Sequence, residues 1–265
     1  MSDALLEVTG LSLDGPGGRE ILRDVSFAVD RGEIVGLVGE SGSGKSMTSL
    51  ALTGLLPPAI VPVAGAATLA GDPYLTAGRT SVRPRISIVF QNPRGALNPT
   101  MRIGAQVIRL LRSRGQRRAG AAQVEELLLS VGIDDPERVR RSYPHELSGG
   151  MNQRVMIGLA IAADPELLIA DEPTTGLDVT VQAQILDLFR RTTSDSNRGV
   201  LFITHDLGVV AQMCTRVVVL YRGRIVETGS VDDIFHAPTQ QYTQDLVAAA
   251  TAVHEGRAAG REVAG

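Results

Sequence analysis

Glu33-Ile34-Val35-Gly36-Leu37-Val38-Gly39-Glu40-Ser41-Gly42-Ser43-Gly44-Lys45-Ser46 decides the fold of this chain. Residues 33–38 form a short apolar run that reads as a buried strand. Residues 39–46 match the phosphate-binding loop pattern G-x-x-x-x-G-K-[ST] at every fixed position. Residues 46–55 then read as a helix, so strand, glycine-rich loop and helix follow in the order the pattern requires. Lys45 is the only lysine; every other one of the 26 basic side chains is arginine. Arginine is a broad planar fork, whereas lysine is a thin stem that carries a point charge through a narrow loop to a phosphate. The glycines let backbone N–H groups turn inward, and the helix adds its positive end. The candidate phosphate-binding residues are Gly39, Glu40, Ser41, Gly42, Ser43, Gly44, Lys45, Ser46 and Met47, with the Ser46 hydroxyl placed for a divalent cation. The plainer alternative, a Gly/Ser-rich turn, does not account for the strand and helix on either side.

Around this motif the chain is ordinary. Its 265 residues suit one large domain or one domain with an inserted subdomain. With 43% apolar residues, 3% aromatics and no tryptophan, the core must be aliphatic. A net charge of −3 argues against bulk nucleic-acid binding. The single cysteine, Cys214, excludes an internal disulfide and a cysteine-ligated metal cluster, and its apolar neighbours suggest an inert buried thiol. The start, Met1 to Glu7, is acidic and lacks the layout of a signal peptide. No run approaches the ~20 apolar residues of a membrane span. The expectation is a soluble intracellular chain that, if it works at a membrane, does so peripherally.

Leu5 to Val29 reads as short strands with a turn at Asp14-Gly15-Pro16-Gly17-Gly18. Ile86 to Phe90, Leu167 to Ala170 and Val200 to Thr204 read as buried strands, the last two of the parallel type covered on both faces. Residues 93–165 change character. Helical periodicity in Ile103–Leu111 and Ala121–Val131 suggests a helical insertion, and Val181–Arg191 suggests a further helix. Val217–Tyr221 and Arg224–Glu227 resemble a closing hairpin around Arg222-Gly223. The tail from His254 is rich in Ala, Gly and charge and is expected to fray.

Two further motifs carry chemistry. Leu167-Leu168-Ile169-Ala170 ends in Asp171 and Glu172, and carboxylates at the C-terminal edge of a parallel sheet face the ligand crevice. Asp171 suits a cation, and Glu172 suits the alignment of an attacking water. Such a strand end is weak evidence alone and strong beside a phosphate loop. Leu147-Ser148-Gly149-Gly150-Met151 precedes a helix-forming run. There Ser148, Gly149 and Gly150 offer a second anion nest, or simply an N-cap.

Taken together, the motifs resemble the nucleotide-binding subunit of an ATP-binding cassette (ABC) transporter. The Walker A loop falls at 39–46, the glutamine loop at Gln91, the signature at 147–151 and Walker B at Asp171-Glu172. The D-loop follows at Gly176-Leu177-Asp178, and the switch histidine is His205. Phe90 to Pro99, Tyr143 to Met151, Asp171 to Thr180 and the tail Ala237 to Thr243 are further similar to the peptide/nickel importer branch.

The resemblance implies an α/β P-loop NTPase (RecA-like) fold, with a parallel-sheet core, an N-terminal antiparallel β subdomain and an inserted α-helical subdomain. The implied divisions are 1–92 with 166–229 for the ATP-binding core, 93–165 for the helical subdomain and 230–265 for the C-terminal helix and tail. It also implies ATP and Mg²⁺ as ligands, with Glu172, His205 and Gln91 catalytic and Ser46, Gln91 and Asp171 around the metal. Ser148, Gly149 and Gly150 would complete the γ-phosphate site of a second ATPase subunit, which the branch suggests is a companion rather than an identical chain. Two transmembrane permease subunits and an extracytoplasmic substrate-binding protein would complete an importer at the cytoplasmic face of the membrane, with no nucleic-acid partner.

Two departures stand out. Residues 11–26 contain none of the aromatics on which the family usually stacks adenine, so ATP would bind more weakly or stack on an aliphatic side chain. Longer peptide-importing members carry a cysteine-bearing C-terminal extension, and the shorter form here looks more like the nickel or metallophore members. Rival readings are a soluble non-transport ABC ATPase or a regulatory, weakly active partner. The single Walker A and the short stretch from Gln91 to Ser148 weigh against the first, and Glu172 and His205 weigh against the second. Arg109, Arg112, Arg114, Arg117 and Arg118 read more simply as a solvated face than as a lipid-binding one. His145 and Tyr242 read as packing or turn residues, and Asp178 as a helix cap or a contact to the partner subunit.

Overall fold

The computed structural model describes residues 4–76, 79–80 and 84–262. In chain order the strands are β1 (Ala4–Asp14), β2 (Glu20–Asp30), β3 (Ile34–Val38), β4 (Val61–Leu69), β5 (Asp72–Thr76), β6 (Arg79–Thr80), β7 (Ile86–Val89), β8 (Leu167–Asp171), β9 (Gly199–Ile203), β10 (Arg216–Tyr221) and β11 (Arg224–Ser230). The helices are α1 (Lys45–Thr53), α2 (Pro93–Ala96), α3 (Ile103–Ser113), α4 (Ala121–Ser130), α5 (Pro136–Arg141), α6 (Gly149–Ala162), α7 (Val179–Ser196), α8 (Leu207–Met213), α9 (Val231–His236) and α10 (Gln241–Glu262). They form two compact units, Met1–Pro84 with Gly199–Gly265, and Arg85–Arg198.

The first unit holds an antiparallel sheet in the order β2-β1-β4-β5-β6. β1 and β2 are each 11 residues long, where short strands are expected. The reason is local: register shifts between Val8 and Leu11 and between Leu11 and Leu13, with Gly10 at φ 63°, break the period-two pattern inside one continuous strand. β4 to β6 escape the sequence reading altogether. Val61–Leu69 is rich in Ala and Gly and leaves Val61 and Val63 exposed, so it shows no apolar alternation. Its place is fixed by pairing with β1, and a Cβ on Gly65 would sit 2.5 Å from Leu11 Cα.

The same unit holds β9, β3 and β10 in parallel, with β11 antiparallel to β10. Every residue of β3 and β9 is buried, as expected of strands covered on both faces. Val38, Leu207, Val210, Val217, Val219 and Ile234 make a core that α10 covers through Tyr242 and Leu246. Each fully buried aliphatic side chain of this kind contributes about 1.5–3 kcal/mol. Cys214 is half-buried against Gly36, where an added Cβ would meet its Sγ at 3.1 Å. Burial, seconded by the Glu33 charge, pushes its thiol up to about 12, so it stays protonated, in keeping with an inert role. The tail from His254, expected to fray, continues α10 to Glu262, in keeping with its alanines; residues 263–265 lie outside the described residues.

In the second unit β7 and β8 pair in parallel from Ile86↔Leu167 to Val89↔Ala170. α6 packs on α3 and α4, and α5 packs on both of those helices. Ile103, Val107, Leu128, Val139 and Ile157 form the aliphatic core of this bundle. The expected helices over 103–111 and 121–131 are present with slightly shifted ends, whereas α2 and α5 are too short to display a helical period. α7 starts before its expected limit because Asp178 caps it, accepting from Val181 N at 2.9 Å. Among the described residues no helix is long and apolar enough to cross a membrane.

Candidate active site

The phosphate loop is shaped by backbone packing. Gly39 sits at φ 151°, and a Cβ there would lie 2.1 Å from the Leu220 carbonyl oxygen. Gly44 sits at φ 111°, with Leu22 Cδ2 only 2.5 Å from where a Cβ would be. Gly42, at φ 81°, faces open space, so its backbone is bare toward an incoming group. Lys45 is 6% exposed, and its Nζ donates to the carbonyls of Gly39 at 2.7 Å and Glu40 at 2.8 Å. That arrangement holds the ammonium across the mouth of the loop. α1 begins at Lys45 itself, so Lys45, Ser46 and Met47 present the first-turn N–H groups that an α-helix leaves without intrahelical partners. A cradle lined by bare backbone and one lysine fits a phosphate chain.

His205 follows β9, which lies beside β3 with Leu37 paired to Ile203. The loop at Gly39 and the exposed His205 therefore leave the same C-terminal sheet edge, where α/β proteins bind ligands. Behind His205, Asp206 accepts from Gly208 N and Val209 N and caps α8, while its own N–H donates to Thr204 Oγ1 at 3.0 Å.

In the second unit, Gln91 follows β7 and Asp171-Glu172 closes β8, again at one edge of a parallel pair. The Gln91 amide donates to Glu172 Oε2 at 3.0 Å, and Thr175 Oγ1 donates to the same oxygen at 2.9 Å. Asp171 is buried at 7% exposure. Glu172 has φ 48°, a left-handed conformation uncommon for a side chain other than Gly, Asn or Asp and typical of strained functional positions. Thr175 is a member of this cluster that reading the sequence did not single out. Its position three residues after Glu172, in a turn where Thr175 N donates to Glu172 O at 3.3 Å, is the signal that was available.

Ser148 caps α6, its hydroxyl accepting from Met151 N at 3.3 Å. A Cβ on Gly149 would meet nothing within 4 Å, so that backbone is open to an approaching group. Ser148, Gly149, Gly150, Gly176, Asp178 and Val181 line one cleft of about 310 Å³, which brings the second nest and the 176–178 segment together. His145, Arg112 and Arg114 have partners of their own. Tyr143 stacks on His145 at 5.5 Å, Arg112 donates to Ala119 O and Arg114 donates to Asp164 O. Tyr242, expected only to pack, also accepts a hydrogen bond from the phosphate loop, from Glu40 N at 3.0 Å.

A glycine-rich loop that joins a buried parallel strand to a helix, with its lysine turned across it, defines a P-loop nucleotide-binding protein. Residues 22–175 match the family model described as ABC transporter. The chain is 44% identical over 257 residues to the probable D,D-dipeptide transport ATP-binding protein DdpD of Escherichia coli (strain K12), covering 93% of this chain and 78% of that one. It is 46% identical over 254 residues to the oligopeptide transport ATP-binding protein OppD of Bacillus subtilis (strain 168), covering 92% and 71%. Among solved structures, an ATP-binding subunit of an ABC transporter superposes with a TM-score of 0.75 at 30% identity, covering 93% of this chain and 99% of that one. The cbiO1 protein of Clostridium perfringens superposes with a TM-score of 0.72 at 26% identity, covering 89% and 92%. The chain belongs to the ABC transporter ATP-binding family and is an ATPase subunit with the P-loop NTPase fold.

Proposed function

We propose that this chain hydrolyses ATP to drive import of short peptides or peptide-like compounds through a membrane permease. The observation that carries the catalytic reading is the hydrogen-bonded cluster of Gln91, Glu172 and Thr175 at the end of a parallel strand pair. The peptide assignment is supported by relatives named for dipeptide and oligopeptide transport.

In this reading the backbone of residues 39–47 cradles the phosphates, and Lys45 exchanges its carbonyl partners for phosphate oxygens. Glu172 aligns the attacking water and takes up its proton as the bond between the γ-phosphorus and the bridging oxygen breaks. His205 contacts the γ-phosphate from the neighbouring strand end. The hydroxyl of Ser46, the amide oxygen of Gln91 and the carboxylate of Asp171 are hard oxygen donors of the kind that would hold Mg²⁺. When bound, the cation would neutralise charge on the phosphates.

Ser148, Gly149 and Gly150 act on the nucleotide of a second subunit, so two chains work head to tail. The open backbone at Gly149 supports that role. We assign residues 93–165 to the subdomain that transmits closure to two permease subunits, and place the chain peripherally on the cytoplasmic face. An extracytoplasmic binding protein would deliver the substrate. Reconstituting the complex in vesicles tests the assignment: peptide uptake should require ATP and vanish with Glu172→Gln. Uptake that persists with that variant, or a complex that takes up nickel chelates and no peptide, would refute it.

A further inference from the structure

We propose that Tyr242, at the start of the C-terminal helix, is a positioning residue for the phosphate loop. This rests on reading residues 39–46 as the nucleotide site. Tyr242 lies far from the loop in sequence, yet its phenol oxygen accepts from Glu40 N at 3.0 Å. Glu40 is also one of the two carbonyls that hold Lys45 Nζ. Tyr242 therefore fixes the peptide unit on the N-terminal limb of the loop.

The tyrosine is itself held in place. Its ring stacks on Tyr221 with centroids 4.1 Å apart, and Arg222 lies over the other ring at 5.0 Å. Tyr221-Arg222-Gly223 is the tight turn between β10 and β11. Its Gly223 N donates to Ser43 O at 2.9 Å, and its Gly223 O accepts from Arg23 N at 2.8 Å. The turn thus grips the C-terminal limb of the loop while Tyr242 grips the other. The segment before α10 is pinned by Glu227, which accepts from Thr239 N and Thr239 Oγ1 at 2.7 Å each and from Gln240 N at 3.2 Å. Burial raises the Tyr242 phenol above its ordinary value, so it stays a neutral hydroxyl at physiological pH.

The C-terminal helix is thereby coupled to nucleotide affinity, with no contact to the reacting atoms. Tyr242→Phe keeps the ring and its stack and removes only the acceptor. Titration of the full chain with ADP and Mg²⁺ by calorimetry should show Kd rising about three- to tenfold, the loss expected of one net hydrogen bond that organises a site. The melting temperature should stay within about 2 °C. Amide deuterium exchange should quicken in peptides spanning Gly39–Lys45. Tyr242→Ala, which also loses the stack, should weaken binding further. An unchanged Kd in Tyr242→Phe overturns the proposal, and so does a weakened Kd accompanied by a comparable loss of thermal stability. A wild-type chain that binds no ADP would sink the nucleotide reading itself, whereas wild-type binding with an indifferent Phe variant sinks only the positioning role.

Discussion

The phosphate loop and the carboxylate cluster are held by different physics. The loop is a backbone object: Gly39 is pressed on the Leu220 carbonyl oxygen and Gly44 on the buried Leu22 side chain, and positive φ angles set its path. The cluster is a side-chain object: Glu172 is oriented by donors from Gln91 and Thr175 on either side of it in sequence. Steric exclusion is all-or-none, so the loop should tolerate almost no substitution at its packed glycines. Hydrogen bonds are worth about 0.5–1.5 kcal/mol each, so the cluster should degrade by steps.

The comparison can be broken at four places. The largest expected effect is chemical. Glu172→Gln should lower the ATP hydrolysis rate of the assembled complex by about 100- to 1000-fold, the size of a lost general base, while nucleotide affinity is retained. Hydrolysis within tenfold of wild type would show that Glu172 is not the base. Next, Gly39→Ala should destabilise the chain by about 3 kcal/mol, since the new Cβ meets a backbone oxygen that cannot move aside cheaply. Denaturant unfolding measures this, and a midpoint equal to wild type would mean that the loop relaxes. A smaller loss belongs to Thr175→Ala, where kcat should fall about fivefold with KM little changed, matching one lost hydrogen bond. Thr175→Ser should restore the rate, and failure of that rescue would assign Thr175 to packing alone.

The smallest effect tests the adenine end. Leu22 is fully buried against Gly44, whereas the adjoining Ile21 is half-buried, with its carbonyl 3.4 Å from the Cβ position of Gly44, in the stretch that lacks an aromatic. If the base packs there, Ile21→Tyr should tighten ATP binding about fivefold, within the range of base–aromatic stacking. Equal or weaker binding in a fluorescence titration would place the base elsewhere.

What was visible before folding follows the same division. Gly39, Gly44 and Lys45 announce themselves because steric demands leave only one residue type at each place. β3, β8 and β9 are visible because buried parallel strands are continuous apolar runs. β4 was invisible because Val61–Leu69 is Ala- and Gly-rich, half-exposed and held by β1 rather than by its own pattern. Thr175 looked like part of a turn until its hydroxyl met Glu172. Tyr242 looked like packing, because nothing local to it points toward a loop 202 positions away.

The phosphate loop, the strand that feeds it, the carboxylates and the class of chemistry were legible along the chain, since each depends on neighbouring residues. Folding in three dimensions is what brings Gln91 and Thr175 onto one oxygen of Glu172, the 221–223 turn against the loop, and Tyr242 to Glu40. Those contacts join segments far apart in sequence, and a hydrogen bond between such segments leaves no period, spacing or composition by which to find it.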